Sequence, residues 1–84
     1  MTVFALLNRL THSIIDGDAE LAEKLTRRCL AESVSPSEIL VAGLVPGMDA
    51  VLRHLRGGEP RIEDVLKATR AMEAALKILR SKPS

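Results

Sequence analysis

Eighty-four residues with 46% apolar content, twelve basic and eleven acidic side chains and a net charge of +1 allow one small domain and no separate catalytic unit. Both signs are interspersed, with Asp49, Glu59, Glu63 and Asp64 around Arg53, Arg56 and Arg61, and Trp and Tyr are absent, so neither the basic stripe nor the stacking platforms of a nucleic-acid binder are present. No stretch reaches the roughly 20 uninterrupted apolar residues that a bilayer requires, the opening MTVFALLNRL lacks the features of a signal peptide, and the lone Cys29 fits a reducing compartment; no membrane association and a cytoplasmic location are expected.

Helical periodicity occurs four times and period-two alternation nowhere for long. The first stretch runs from about Thr2 to Ile15, with Phe4, Leu7, Leu10 and Ile14 expected on one buried face. Gly17 then suits a left-handed helix end and Asp18 an N-terminal cap. The second stretch, Ala19 to Glu32, carries Leu21, Ala22, Leu25, Cys29 and Leu30 inward.

SPSE at Ser35 to Glu38 is a capping-box pattern with Pro36 at the first helical position, where no amide hydrogen is needed. Ile39, Leu40, Leu44, Met48, Val51, Leu52 and Leu55 then mark a long apolar face. Pro46 lies inside this third stretch, and the expectation is a lost hydrogen bond and a bent axis. GGEP at Gly57 to Pro60 ends it. The fourth stretch, from Ile62, has Glu63 and Asp64 at its start and Lys77 and Arg80 at its end, as the helix dipole favours. Ile62, Val65, Leu66, Thr69, Met72, Leu76 and Leu79 form its expected buried set. The fold class predicted is all-α, an antiparallel four-helix bundle over residues 1–80, with 81–84 a linker stub or tail.

Reactive chemistry is sparse. His12 and His54 have no metal-ligand spacing to a partner, Cys29 lies on an apolar helix face, and Ser33, Ser35 and Ser37 fit turn and cap roles. No phosphate-binding glycine loop occurs, and no helix beside a turn carries the concentrated basic face of a helix-turn-helix DNA reader. Catalysis by this chain alone is not expected, and neither is a metal site.

In order, these elements resemble a known module. IIDGD with Gly17 and Asp18, then SPSEIL with Pro36, Glu38, Ile39 and Leu40, then GLVPGM with Gly43, Leu44, Pro46, Gly47 and Met48, are followed by Val51, Gly58 and Glu59. DVLKATRAMEAAL supplies Val65, Leu66, Ala68, Ala71, Met72, Ala75 and Leu76. The chain is similar in this pattern, from about Ser13 to Leu79, to the helical cap domain that precedes the cobalamin-binding Rossmann-like domain in methionine synthase and in methyltransferase corrinoid proteins.

The resemblance implies a bundle that covers the upper face of a protein-bound corrinoid in methyl-transfer or cobalamin-sensing systems. The cofactor would be cobalamin, bound only together with a Rossmann-like domain in cis or trans, with a methyltransferase as further partner. It implies cofactor-binding residues Leu52, Leu55, Glu59 and Ile62 where the third stretch meets the fourth, a corner that Pro46, Gly47, Gly57 and Gly58 would shape into a lid. The chain departs from the family pattern at this corner: Leu52 replaces a glycine, Leu55 a phenylalanine, and Arg61-Ile62-Glu63 stands where the family has Phe-Leu-Pro. If those changes have removed the corrin contact, the alternative is a cap-derived protein–protein interaction or homodimerisation module.

Overall fold

The computed structural model describes residues 2–56 and 61–81, with backbone alone at positions 55 and 56. Four helices pack as an all-α bundle. Helix α1 spans Val3–Asp16 and α2 spans Ala19–Ala31. Helix α3, residues 36–56, is continuous through three segments: Pro36–Glu38, a π-helical Ile39–Leu44, and Val45–Arg56. Helix α4 spans Ile62–Arg80. The turn at Gly57 to Pro60 lies outside the described residues.

The helix ends follow local chemistry. The Thr2 hydroxyl accepts the Ala5 amide at 3.1 Å, the Asp18 carboxylate the Leu21 amide at 3.1 Å, and the Ser35 hydroxyl the Glu38 amide at 3.1 Å. Gly17 takes the left-handed conformation (φ 68°), and the Gly17 and Asp18 amides return to the Ile14 and Ser13 carbonyls at 3.0 and 2.9 Å. Ser33 repeats this arrangement at the end of α2. Its φ is 66°, its amide donates to Leu30 at 3.0 Å, and that of Val34 to Cys29 at 3.0 Å. Nothing in ESVS distinguishes this serine from an ordinary turn residue, yet it occupies a position that glycine fills without strain.

Pro46 does not break α3. The turn ahead of it widens, and the Val45 amide bonds five residues back to the Leu40 carbonyl. Wider i→i−5 pairing leaves room for the pyrrolidine ring, which in a regular α-helix collides with the carbonyl four residues before it. The hydrogen bond expected to be lost at Pro46 is accommodated by a change of hydrogen-bond register within an unbroken helix.

Gly47 has a packing role rather than a bending one. A Cβ placed there would come within 2.7 Å of Ile14 Cβ and 2.8 Å of the Thr11 carbonyl oxygen, and one at Gly43 within 2.9 Å of Leu10 Cδ2. Two glycines four apart therefore open a groove on α3 into which α1 settles. The pairing of Leu7 and Leu10 with Gly43, and of Thr11 and Ile14 with Gly47, makes α1 and α3 run in the same direction. The Thr11 hydroxyl donates across this seam to the Gly43 carbonyl at 2.7 Å.

The core is aliphatic and centred on Leu10, Ile14, Ala22, Cys29, Ile39, Leu44, Ala68, Ala71 and Ala75, all fully buried. Two expected faces are corrected. Phe4 is 79% exposed, because at 100° per residue it lies about 120° round the helix from Leu10. Leu6 takes the buried position in its place. On α4 the deepest residues are alanines, which let that helix approach α2 and α1, while Val65, Met72 and Leu76 are only partly buried and Ile62 and Leu66 face out. Leu79 and Cys29 are buried as expected, and Leu21 and Leu30 pack at the core's edge.

Two substitutions test these contacts by urea unfolding. Gly47→Ala forces a methyl against the α1 backbone and is expected to cost about 2–3 kcal/mol, in the range of overpacked cores. Ser33→Gly relieves the left-handed strain and is expected to gain about 1 kcal/mol.

Candidate functional site

The buried and exposed apolar residues of α3 and α4 separate by helical geometry. Val51 points into the core; Leu52, the next residue, is 41% exposed. Ile62 opens α4 at 68% exposure and Leu66, one turn on, is 49% exposed. The segment Val45–Arg56 packs against α4, and the partly buried Met48 and Val65 pack against the core. Toward the start of α3 the apolar surface continues through Val45 (47% exposed) and Val41 (64%).

Of the four expected cofactor-binding residues, Leu52 and Ile62 therefore lie on the surface, where a ligand can reach them. The side chain of Leu55 and the whole of Glu59 lie outside the described residues. Leu52 and Ile62 are thereby removed from the buried sets in which periodicity also placed them. Leu66, Val41 and Val45 were missed. Leu66 obeys the same helical spacing as its buried neighbours, and only the alanine-lined packing of α4 turns it outward. Val41 and Val45 could have been found from their i, i+4 relation to each other and their i+11 and i+7 relation to Leu52.

Charge borders this surface without entering it. The Asp49 carboxylate holds the Arg53 guanidinium at 2.6 Å, an exposed pair that adds little stability. Arg61 is extended (φ −79°, ψ 154°), and its carbonyl accepts the Asp64 amide at 3.0 Å and the Val65 amide at 3.4 Å, while its side chain forms no cap on α4. Glu63 and Asp64 occupy the first turn, where the helix dipole favours negative charge.

Among the described residues no group of three or more His, Cys, Asp or Glu is placed to hold a metal ion. His12 and His54 are exposed and lie on different helices. Burial pushes the Cys29 thiol above its ordinary value, so it stays neutral and packs as a small apolar group. What the surface offers is an aliphatic face that can exclude water from whatever flat, apolar partner lies on it.

Residues 6–80 match the family model described as the B12 binding domain, and the chain belongs to that family of cobalamin-binding helical domains. Its relatives are corrinoid proteins. It is 32% identical to monomethylamine corrinoid protein 2 of Methanosarcina mazei, over 94% of this chain and 36% of the relative. It is 31% identical to a corrinoid protein of Desulfitobacterium hafniense, over 92% and 36%, and 31% identical to the trimethylamine corrinoid protein of Methanosarcina barkeri, over 88% and 34%. The chain thus spans about a third of the length of these curated relatives. No solved structure matches it significantly. No helix among the described residues is long and apolar enough to cross a membrane.

Exposure predicts how the domain tolerates change. Leu52→Ala, Ile62→Ala and Leu66→Ala should each alter unfolding free energy by no more than about 0.5–1 kcal/mol, whereas Leu44→Ala in the core should cost about 2–5 kcal/mol. For Cys29 the linkage runs toward alkaline pH. The unfolded chain loses its thiol proton at the ordinary value while the folded chain keeps it, so stability is full below that value and falls as pH rises above it. Cys29→Ala should flatten that alkaline decline in a pH series of thermal melts.

Proposed function

We propose that this domain covers the exposed face of a corrinoid held by a Rossmann-like domain, in cis or in trans, within a methyl-transfer system, and that it performs no catalysis alone. The observation that carries this reading is that Leu52, near the end of α3, and Ile62 and Leu66, at the start of α4, face outward, whereas Leu21, Leu25 and Leu30 of α2 are buried or partly buried. A corrinoid supplies the cobalt–carbon bond that carries the methyl group; the work of this chain is to keep water away from it. The residues fit the group: the face of a macrocycle is broad and apolar, and these three side chains present methyl groups with no nucleophile, base or metal ligand among them.

The energies suit a lid. Covering three half-exposed aliphatic side chains contributes about 1 kcal/mol each, or about 3 kcal/mol together. That corresponds to a closed-to-open ratio on the order of 100, high enough to protect and low enough to admit a methyltransferase. Leu55, in the last turn of α3, and Glu59, between α3 and α4 in the chain, would complete the cover, and Arg61 and Glu63 would lie at its polar rim. Residues 81–84 would lead out of the cap as a linker.

The test uses the Rossmann-like domain of a related monomethylamine corrinoid protein, stripped of its own helical cap and loaded with methylcobalamin. Fusing this chain should slow photolysis followed by absorbance by up to about a hundredfold, in keeping with the closed-to-open ratio of the lid. Ile62→Glu and Leu66→Glu should each remove the protection while leaving the fold intact by circular dichroism. Equal photolysis rates with and without the chain would sink the proposal.

A further inference from the structure

The apolar surface on α3 is longer than the corner where α3 meets α4. Val41, Val45, Met48 and Leu52 follow one another at intervals of four, three and four residues, so they form a single stripe along the helix. Val41, Val45 and Leu52 are exposed and Met48 is partly so. The α-helical part of the stripe, from Val45 to Leu52, extends about 10 Å along the axis at 1.5 Å per residue, and Val41 lies about one π-helical turn before it.

This spacing reads the same in both directions. An identical helix laid against it with opposite polarity sets Val41 against Leu52 of the second copy and Val45 against Met48 of the second copy, all four contacts being repeated by the two-fold axis. The flanking charges agree with the same register. Glu38 and Arg53 lie on the same side of the stripe, the side that faces its own counterpart in an antiparallel pair. Glu38 then falls within two residues, about 3 Å along the axis, of Arg53 of the second copy. Asp49, already paired with Arg53 at 2.6 Å, lies level with Leu44 of the second copy and meets no like charge there.

We infer that this domain pairs with a second copy of itself, antiparallel and two-fold symmetric, through the Val41–Val45–Met48–Leu52 stripe of α3. Four aliphatic positions per copy make an interface below the standard size, so the dimer is weak and concentration-dependent. It shares Leu52 with the corrinoid-facing corner, so a copy engaged in pairing cannot use that residue to cover another surface.

The test is sedimentation equilibrium of the chain from low micromolar to millimolar concentration, which requires no corrinoid and stands or falls apart from the cap. Wild type should pass from monomer to dimer across that range. Val45→Glu, a change at a surface position that leaves the helical signal intact, should raise the dissociation constant at least about tenfold. Glu38→Arg and Arg53→Glu should each weaken pairing, and the double variant should recover it. A monomer throughout, a dimer indifferent to Val45→Glu, or a double variant no better than the singles would overturn the assignment.

Discussion

The fold depends on the distance of closest approach between α1 and α3. Gly43 and Gly47 remove two side chains from the facing surface of α3, and Ile14, Thr11 and Leu10 occupy the space. The Thr11 hydroxyl then bonds across the seam to the Gly43 carbonyl. First and third helices of an up-down-up-down bundle ordinarily sit across the diagonal. Here they touch, which fixes the rotation of α3 about its axis. Because Gly43 and Gly47 must face α1, Val41, Val45 and Leu52 face away from it.

Pro46 belongs to the same device. A proline between two helix-facing glycines would be expected to disrupt the packing it interrupts. The π-helical turn over Ile39–Leu44 shifts the hydrogen-bond register ahead of the ring and lets the helix continue. The sequence GLVPGM thus encodes a close-packed crossing with a built-in register change. Its effect on the corner between α3 and α4 is indirect, through the rotational setting of α3 and the position of its last turns against α4.

The alanines of α4 complement those glycines. Ala68, Ala71 and Ala75 let α4 approach α2 and α1, Ile78 and Leu79 are buried near its end, and Val65, Met72 and Leu76 are partly buried. Ile62 and Leu66 become exposed as a result. The differences from the family pattern at Leu52, Leu55 and Arg61 to Glu63 fall around the end of α3 and the start of α4. Small residues set the close approaches between helices, while Leu10, Ile14, Ile39 and Leu44 fill the space between them.

Much of the architecture was legible in the chain itself. Four helices, the caps at Asp18 and Ser35, the left-handed Gly17 and the family motifs all follow from local rules, because a cap or a glycine turn is decided by neighbours a few residues away. Ile62 was legible as a candidate contact from the family pattern, although periodicity also assigned it to the core. What local rules could not supply was the rotation of each helix about its axis. The sequence offered competing stripes on α1 and α4, and both choices based on the largest side chains were displaced: Phe4 outward in favour of Leu6, and Ile62 and Leu66 outward in favour of alanines. The sequence determined which segments are helical and where they end. The tertiary structure alone decided which face of each is covered, because that depends on how closely the axes approach, and here the smallest residues set that distance.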